Sequence, residues 1–156
     1  MKILIIEDSK AEAHILAQTL ERIMDDDLDI RHTPTLGEGK SMLEEEHSDI
    51  DLVFLDLKLS DSPDWHATYD AIAPYATKVP VIVMSGNEDR EIARELIKNG
   101  AEDYIVKGGK KRHTDLLRET IEFAMARHKN VKDLASAAEQ KEQCVHWLTG
   151  GYSVDS

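Results

Sequence analysis

Short apolar runs alternate five times along the chain with longer segments in which apolar residues recur every three or four positions. The apolar runs predict β-strands at residues 3–6, 29–33, 51–56, 79–84 and 102–106. The periodic segments predict helices after Ser9 and over residues 36–47, 61–75, 88–98 and 113–129. The third of these helices is expected to begin near Pro63.

Strands that alternate with helices in this way are typical of parallel βαβ units. The runs are apolar throughout rather than at every second position, as at residues 52–55, which indicates strands covered on both faces. The sequence therefore predicts an α/β fold with a doubly wound, five-stranded parallel sheet. In such sheets the ligand site lies outside the carboxyl ends of the central strands.

The charge balance narrows the classes of function. Lys and Arg number 19 against 31 Asp and Glu, a formal charge of −12 on 156 residues. This length favours one domain with an appendage, and the acidic surface argues against a nucleic-acid binder. No apolar run approaches the roughly 18 residues that span a bilayer. Cys144 is the single cysteine, which excludes an internal disulfide framework. We therefore expect a cytoplasmic protein that binds neither nucleic acid nor membrane.

Chemically active side chains follow four of the predicted strands. They are Glu7, Asp8, Asp56, Ser85 and Lys107. Three carboxylates in one cleft repel one another, and a hard cation such as Mg²⁺ relieves that repulsion. The amine and the hydroxyl could then hold oxygens of a phosphoryl group while the central carboxylate acts as nucleophile. Each residue taken alone is more often a helix cap or a turn, but their joint occurrence is specific.

Four separated segments resemble the response-regulator receiver domain of two-component signalling, over roughly residues 1–129. They are residues 3–9, 52–57, 79–86 and 100–108. The resemblance implies a flavodoxin-like (βα)5 fold that is phosphorylated at Asp56. It implies Mg²⁺ as cofactor, with four protein ligands: Glu7, Asp8, Asp56 and the main-chain carbonyl of Lys58.

The resemblance also implies how such a domain switches. Lys107 matches the family's lysine, Ser85 its switch hydroxyl, and Tyr104 the aromatic residue that moves inward with that hydroxyl. The phosphodonor would be a phosphohistidine on a sensor histidine kinase or a histidine phosphotransfer protein. A downstream protein effector would bind the face made by the fourth helix, fifth strand and fifth helix.

Three positions depart from the family pattern. Ser60 replaces the usual Pro and Asp64 the usual Gly after the phosphoacceptor, which leaves the loop conformation and the start of the third helix open. Gly108 replaces a frequent Pro, so no cis-proline is expected there.

Residues 130–156 lie outside the resemblance and carry a net charge of −2. Their apolar spacing predicts an amphipathic helix that could continue the fifth helix. It could pack on its own domain, form a homodimer or bind a partner, or belong to a longer signalling protein. We expect no DNA-binding output domain, since the segment is short and acidic.

The leading hypothesis is a phosphorylated signalling switch that takes part in its own phosphotransfer and slow dephosphorylation but is not otherwise an enzyme. One alternative is a constitutive interaction platform with the same fold. Another is a phosphatase or phosphotransferase with an aspartyl nucleophile. Lys58 argues against this enzyme, because the haloacid-dehalogenase-like family has a second Asp at that position.

Overall fold

The computed structural model describes residues 1–24, 27–86, 90–107 and 113–136, with side chains of the last helix described over 116–129. Five strands alternate with five helices. The order is β1 (Lys2–Ile6), α1 (Lys10–Ile23), β2 (Asp29–Thr33), α2 (Leu36–Glu46), β3 (Leu52–Asp56), α3 (Trp65–Ile72), β4 (Val81–Ser85), α4 (Arg90–Lys98), β5 (Asp103–Val106) and α5 (His113–Ser136). A short 3₁₀ turn, Ala73–Tyr75, follows α3.

All five strands are parallel, in the order β2-β1-β3-β4-β5. The predicted doubly wound sheet is therefore confirmed. β1 and β3 lie next to each other near the centre, and every residue of β3 is buried. Apolar side chains pack in two clusters that contain alternate residues of these strands, one cluster around Leu4 and Val53 and the other around Ile5 and Phe54. The continuous apolar runs follow from this burial on both faces.

Helix α2 packs closely on the sheet at Gly39. A Cβ at this position would lie 2.5 Å from Ile6 Cδ1 and 3.1 Å from Thr33 Oγ1. A glycine costs about 1 kcal/mol relative to alanine inside a helix. Here it allows the backbone of α2 to approach β1, the strand that ends at the predicted site.

Local sequence signals explain where α1 begins and where α4 ends. Ser9 caps α1, because its hydroxyl accepts a hydrogen bond from the Glu12 N–H at 3.3 Å. α4 ends at Lys98, and Gly100 follows with φ of +109°. The Ala101 N–H donates to Leu96 O at 3.0 Å and the Gly100 N–H to Ile97 O at 3.1 Å. This left-handed cap needs glycine, as the sequence predicted.

Two elements differ from the predicted bounds for reasons that the structure shows. β4 begins after Pro80, because proline has no N–H to donate within a sheet, and it includes Ser85 as its last residue. α3 begins at Trp65, two residues after the expected start near Pro63, because Asp64 caps it and accepts a hydrogen bond from the Ala67 N–H at 2.8 Å. The residues before Asp64 form a loop.

Helix α5 is anchored on the sheet by Glu102, which precedes β5. Its carboxylate lies 3.2 Å from Nδ1 of the buried His128, and its carbonyl accepts a hydrogen bond from Arg127 at 3.0 Å. The helix continues to Ser136, as predicted for the start of the tail. Residues 137–156 lie outside the described residues, and the domain boundary at residue 129 stays a prediction. Within the described chain, no helix combines the length and apolarity that a membrane crossing requires.

Candidate functional site

The carboxyl ends of β1 and β3 bring three acidic side chains together. Ile6 pairs with Leu55, so that Glu7 and Asp56 leave their strands side by side. Both are buried, with relative exposures of 1% and 2%, while Asp8 is exposed at the mouth. One carboxylate oxygen from each of the three lies within 4.8 Å of the others. The predicted convergence of these residues is found.

Lys107 reaches the same carboxyl groups from the end of β5, the edge strand two positions away from β3. It follows β5, and its N–H donates to Ser85 O at 2.8 Å, which fixes its backbone beside the end of β4. Its ammonium lies 3.0 Å from Glu7 Oε2 and 3.1 Å from Asp56 Oδ2. It also lies 2.8 Å from Oε2 of Glu12, in the first turn of α1. One cation therefore links the two buried carboxylates to a helix at the rim.

These contacts shift the pKa values of the site. Burial raises the pKa of Glu7 to about 9, and the neighbouring carboxylates of Asp56 and Glu12 add to this effect while Lys107 opposes it. Burial alone would lower the pKa of Lys107, but its bonds to Glu12, Glu7 and Asp56 outweigh burial and raise it. The carboxylates therefore crowd one another, and the lysine stays charged.

The acidic cluster fits a magnesium ion by its donor chemistry. Mg²⁺ takes hard oxygen ligands and keeps several waters, and Asp8 at the open mouth can meet a hydrated ion. The Lys58 N–H donates to Asp56 Oδ1 at 3.1 Å, so one oxygen of this carboxylate is oriented by the backbone. The main-chain carbonyl of Lys58 as a fourth ligand stays a prediction.

An open cleft of about 600 Å³ leads to these groups. It is lined by Asp8, Glu12, Asp56, Lys58, Leu59, Ser60, Gly86 and Lys107. A phosphoryl group can therefore enter beside the buried oxygen atoms of Asp56.

The predicted switch residues lie on the adjoining strands. Ser85 is half-buried at the end of β4, directly after Met84, which pairs with Asp56. Tyr104 pairs with Val83 one strand further out and packs against the core with part of its surface exposed. They therefore lie on neighbouring strands, β4 and β5.

The loop after β3 is held by its own polar side chains. Asp61 accepts hydrogen bonds from the N–H groups of Leu36 at 2.9 Å and Gly37 at 3.1 Å, at the start of α2. The buried Thr68 hydroxyl lies 2.7 Å from Ser62 Oγ and 3.2 Å from Leu57 O. The replacement of the family's Pro and Gly by Ser60 and Asp64 therefore accompanies a loop with an ordered hydrogen-bond network.

Sequence reasoning missed two residues of this region. Asp61 looked like the beginning of a helix, but it bonds to the start of a different helix, which no local pattern indicates. Glu12 stands three residues after Ser9, a spacing typical of a reciprocal helix cap. That spacing placed Glu12 in the first turn of α1, and only the fold brought Lys107 to it.

A family model described as the response regulator receiver domain matches residues 3–122. The chain belongs to this family. Receiver domains are signalling switches of two-component systems rather than classical enzymes, and they bind Mg²⁺ at an acidic pocket. They interact with histidine kinases or phosphotransfer proteins and with effectors.

Individual relatives agree with this assignment. The chain is 26% identical over 139 residues to the regulatory protein LuxO of Vibrio cholerae, covering 88% of this chain and 28% of that protein. It thus spans little more than a quarter of the curated relative.

Solved structures give the same result. The signal receiver domain of a putative LuxO repressor from Vibrio parahaemolyticus superposes with a TM-score of 0.69 at 28% identity, covering 86% of this chain and 95% of that one. NtrX from Brucella abortus superposes with a TM-score of 0.71 at 25% identity, covering 89% of this chain and 30% of that one.

Proposed function

We propose that this receiver domain is a phosphoacceptor that takes a phosphoryl group from a phosphohistidine onto Asp56 in the presence of Mg²⁺. The observation that carries the proposal is the ammonium of Lys107 within 3.1 Å of a buried Asp56 oxygen that opens on a cleft. The donor would be a sensor histidine kinase or a histidine phosphotransfer protein.

The chemistry uses the residues in distinct roles. One Asp56 carboxylate oxygen attacks phosphorus, the bond from phosphorus to the donor's imidazole nitrogen breaks, and the imidazole leaves with the electron pair and takes up a proton. Glu7, Asp8 and Asp56 would hold a Mg²⁺ ion, which would supply positive charge for the phosphoryl oxygens. Lys107 supplies positive charge beside Asp56 Oδ2, and the Lys58 N–H keeps the carboxylate oriented.

The switch follows from the charge that the phosphoryl group adds. It brings three acceptor oxygens to the end of β4, where the Ser85 hydroxyl can donate to one of them. Movement of Ser85 would vacate space that the ring of Tyr104 can enter. Both residues would thus couple the site to the neighbouring strand and helices.

The output surface that we propose comprises α4, β5 and α5. Three large apolar side chains on these helices are exposed to solvent, with relative exposures of 48% for Ile97, 54% for Leu116 and 58% for Phe123. We propose that these three side chains belong to one apolar patch, the kind of surface that marks a protein contact site.

A labelling experiment tests the assignment of Asp56. The experiment compares the wild-type chain with Asp56→Asn and with the control Asp70→Asn, which changes an exposed carboxylate on α3. Each protein is treated with phosphoramidate and Mg²⁺, and its mass is then measured by intact-protein mass spectrometry. We expect the wild type and Asp70→Asn to gain the mass of one phosphoryl group, and Asp56→Asn or any sample in EDTA to gain none. An equal gain in Asp56→Asn would place the acceptor elsewhere. No gain in the wild type would favour the constitutive platform.

A further inference from the structure

Glu12 occupies a position at the site that the phosphoacceptor chemistry does not require. Its carboxylate oxygen lies 2.8 Å from Lys107 Nζ, a shorter distance than those from the same ammonium to Glu7 and Asp56. The side chain is 52% exposed, whereas those of Glu7 and Asp56 are 1% and 3% exposed. Glu12 is thus the outermost of the three partners of Lys107 and lines the cleft.

The ammonium of Lys107 has three N–H donors. Four carboxylate oxygens lie within 3.2 Å of it: two of Glu7 and one each of Glu12 and Asp56. Every donor of Lys107 therefore has a carboxylate partner. A phosphoryl oxygen that binds Lys107 must take a donor from one of these partners.

Glu12 is the partner that can give way. Glu7 and Asp56 leave central strands and are almost fully buried, so neither side chain can rotate out into water as Glu12 can. Glu12 is half-exposed on the first turn of a helix, where its side chain can rotate into water. Its usual alternative is nearby, because a Glu three residues after a capping Ser can accept from the N–H of that Ser.

We propose that Glu12 is a positioning residue that acts through Lys107: it competes with the incoming phosphoryl group for the ammonium and so slows phosphorylation of Asp56. This inference rests on the proposed phosphoacceptor function. The negative charge of Glu12 adds to the competition, because it opposes the arrival of a second anion at the same rim of the cleft.

The test compares Glu12→Gln with Glu21→Gln. Both variants remove one carboxylate from α1, but Glu21 is exposed nine residues further along the helix. The rate of mass gain with phosphoramidate and Mg²⁺ is measured at low and high potassium chloride. We expect Glu12→Gln to be phosphorylated about two- to five-fold faster than wild type, the range for a solvent-exposed ion pair. Glu21→Gln should match wild type.

Ionic strength separates competition from a structural effect. The rate advantage of Glu12→Gln over wild type should decrease at high salt, because screening weakens the attraction between Glu12 and Lys107 in the wild type. The proposed competition is wrong if Glu12→Gln is phosphorylated no faster than wild type. It is also wrong if the rate advantage of the variant is the same at low and high salt. If the wild-type chain gains no mass at all, the phosphoacceptor function itself is wrong, and this inference with it.

Discussion

Phe54 and Asp56 lie two residues apart on β3 and are almost equally hidden from solvent, yet their surroundings are opposite. Phe54 packs in a cluster of apolar side chains from both neighbouring strands and two helices. Asp56 lies beside Glu7, another buried carboxylate, with Lys107 between them and the rim.

The interior of the sheet and its carboxyl edge therefore contribute to stability with opposite signs. Apolar burial stabilises the interior by about 25 cal/mol per Å². At the edge, two carboxylates are removed from water and face each other, which raises the pKa of Glu7 to about 9. The packed strands therefore hold Glu7 and Asp56 close together although these two acidic groups repel each other. Sites of this kind commonly reduce stability in return for activity.

The largest effect that we expect is at the interior contact between α2 and β1. Gly39→Ala would place a methyl group 2.5 Å from a side-chain carbon of the buried Ile6. We expect it to lower the free energy of unfolding by about 1–3 kcal/mol, measured by urea denaturation. Gly37→Ala is the matched control in the same helix, where the nearest atom is 3.8 Å away. That variant should be neutral or stabilising, and equal losses in both variants would contradict the close packing.

A smaller effect concerns Tyr69, a buried ionisable group that, unlike the edge carboxylates, is paired with a neutral partner. Its hydroxyl donates to Asn99 O at 3.1 Å, and burial raises its pKa to about 12. Because the folded-state pKa exceeds the unfolded value of about 10, this contribution is present below pH 10 and lost as the pH rises toward 12.

Comparison with Tyr69→Phe isolates this contribution. At neutral pH the wild type should be more stable than the variant by about 1 kcal/mol, the value of one hydrogen bond. The difference in the free energy of unfolding should shrink between pH 10 and pH 12. A difference that stays constant across this range would show that the hydroxyl is not kept neutral by burial.

The smallest effect that we expect is at the edge itself. Mg²⁺ should raise the free energy of unfolding by about 0.4 kcal/mol at a concentration equal to its Kd, because it neutralises the clustered carboxylates. Asp8→Asn should lose this gain while leaving the stability in EDTA nearly unchanged, since Asp8 is exposed. Thermal unfolding with and without EDTA measures both quantities. Equal stabilisation of the variant would place the ion at another site.

Much of the fold could be predicted because the local signals agree with one another. The bounds of β2 match the prediction from the sequence, and α1 and α4 have the cap and stop that Ser9 and Gly100 indicate. The segment predicted for the third helix began at Asp61, with the helix start expected near Pro63, whereas the helix begins at Trp65. Asp61 bonds to Leu36 at the start of α2, whereas Ser62 bonds to Thr68 within the following helix.

For the candidate site, too, some contacts could be predicted from the sequence and one could not. Because all strands are parallel, Glu7, Asp56 and Lys107 lie at one edge of the sheet, and the parallel direction followed from the alternation of strands and helices. The position of Glu12 on Lys107 did not follow, because it depends on the angle at which α1 leaves β1.

The amino-acid sequence alone determined the order of strands and helices and the residues at each strand end, because periodicity, caps and apolar runs are local properties. Only the tertiary structure decided that Glu12 joins the charged groups at the site. Lys107 and Glu12 are separated by 95 residues and meet at 2.8 Å. A contact of that kind depends on how helices pack on the sheet, which is set by side-chain volume summed over the whole core rather than by any local pattern.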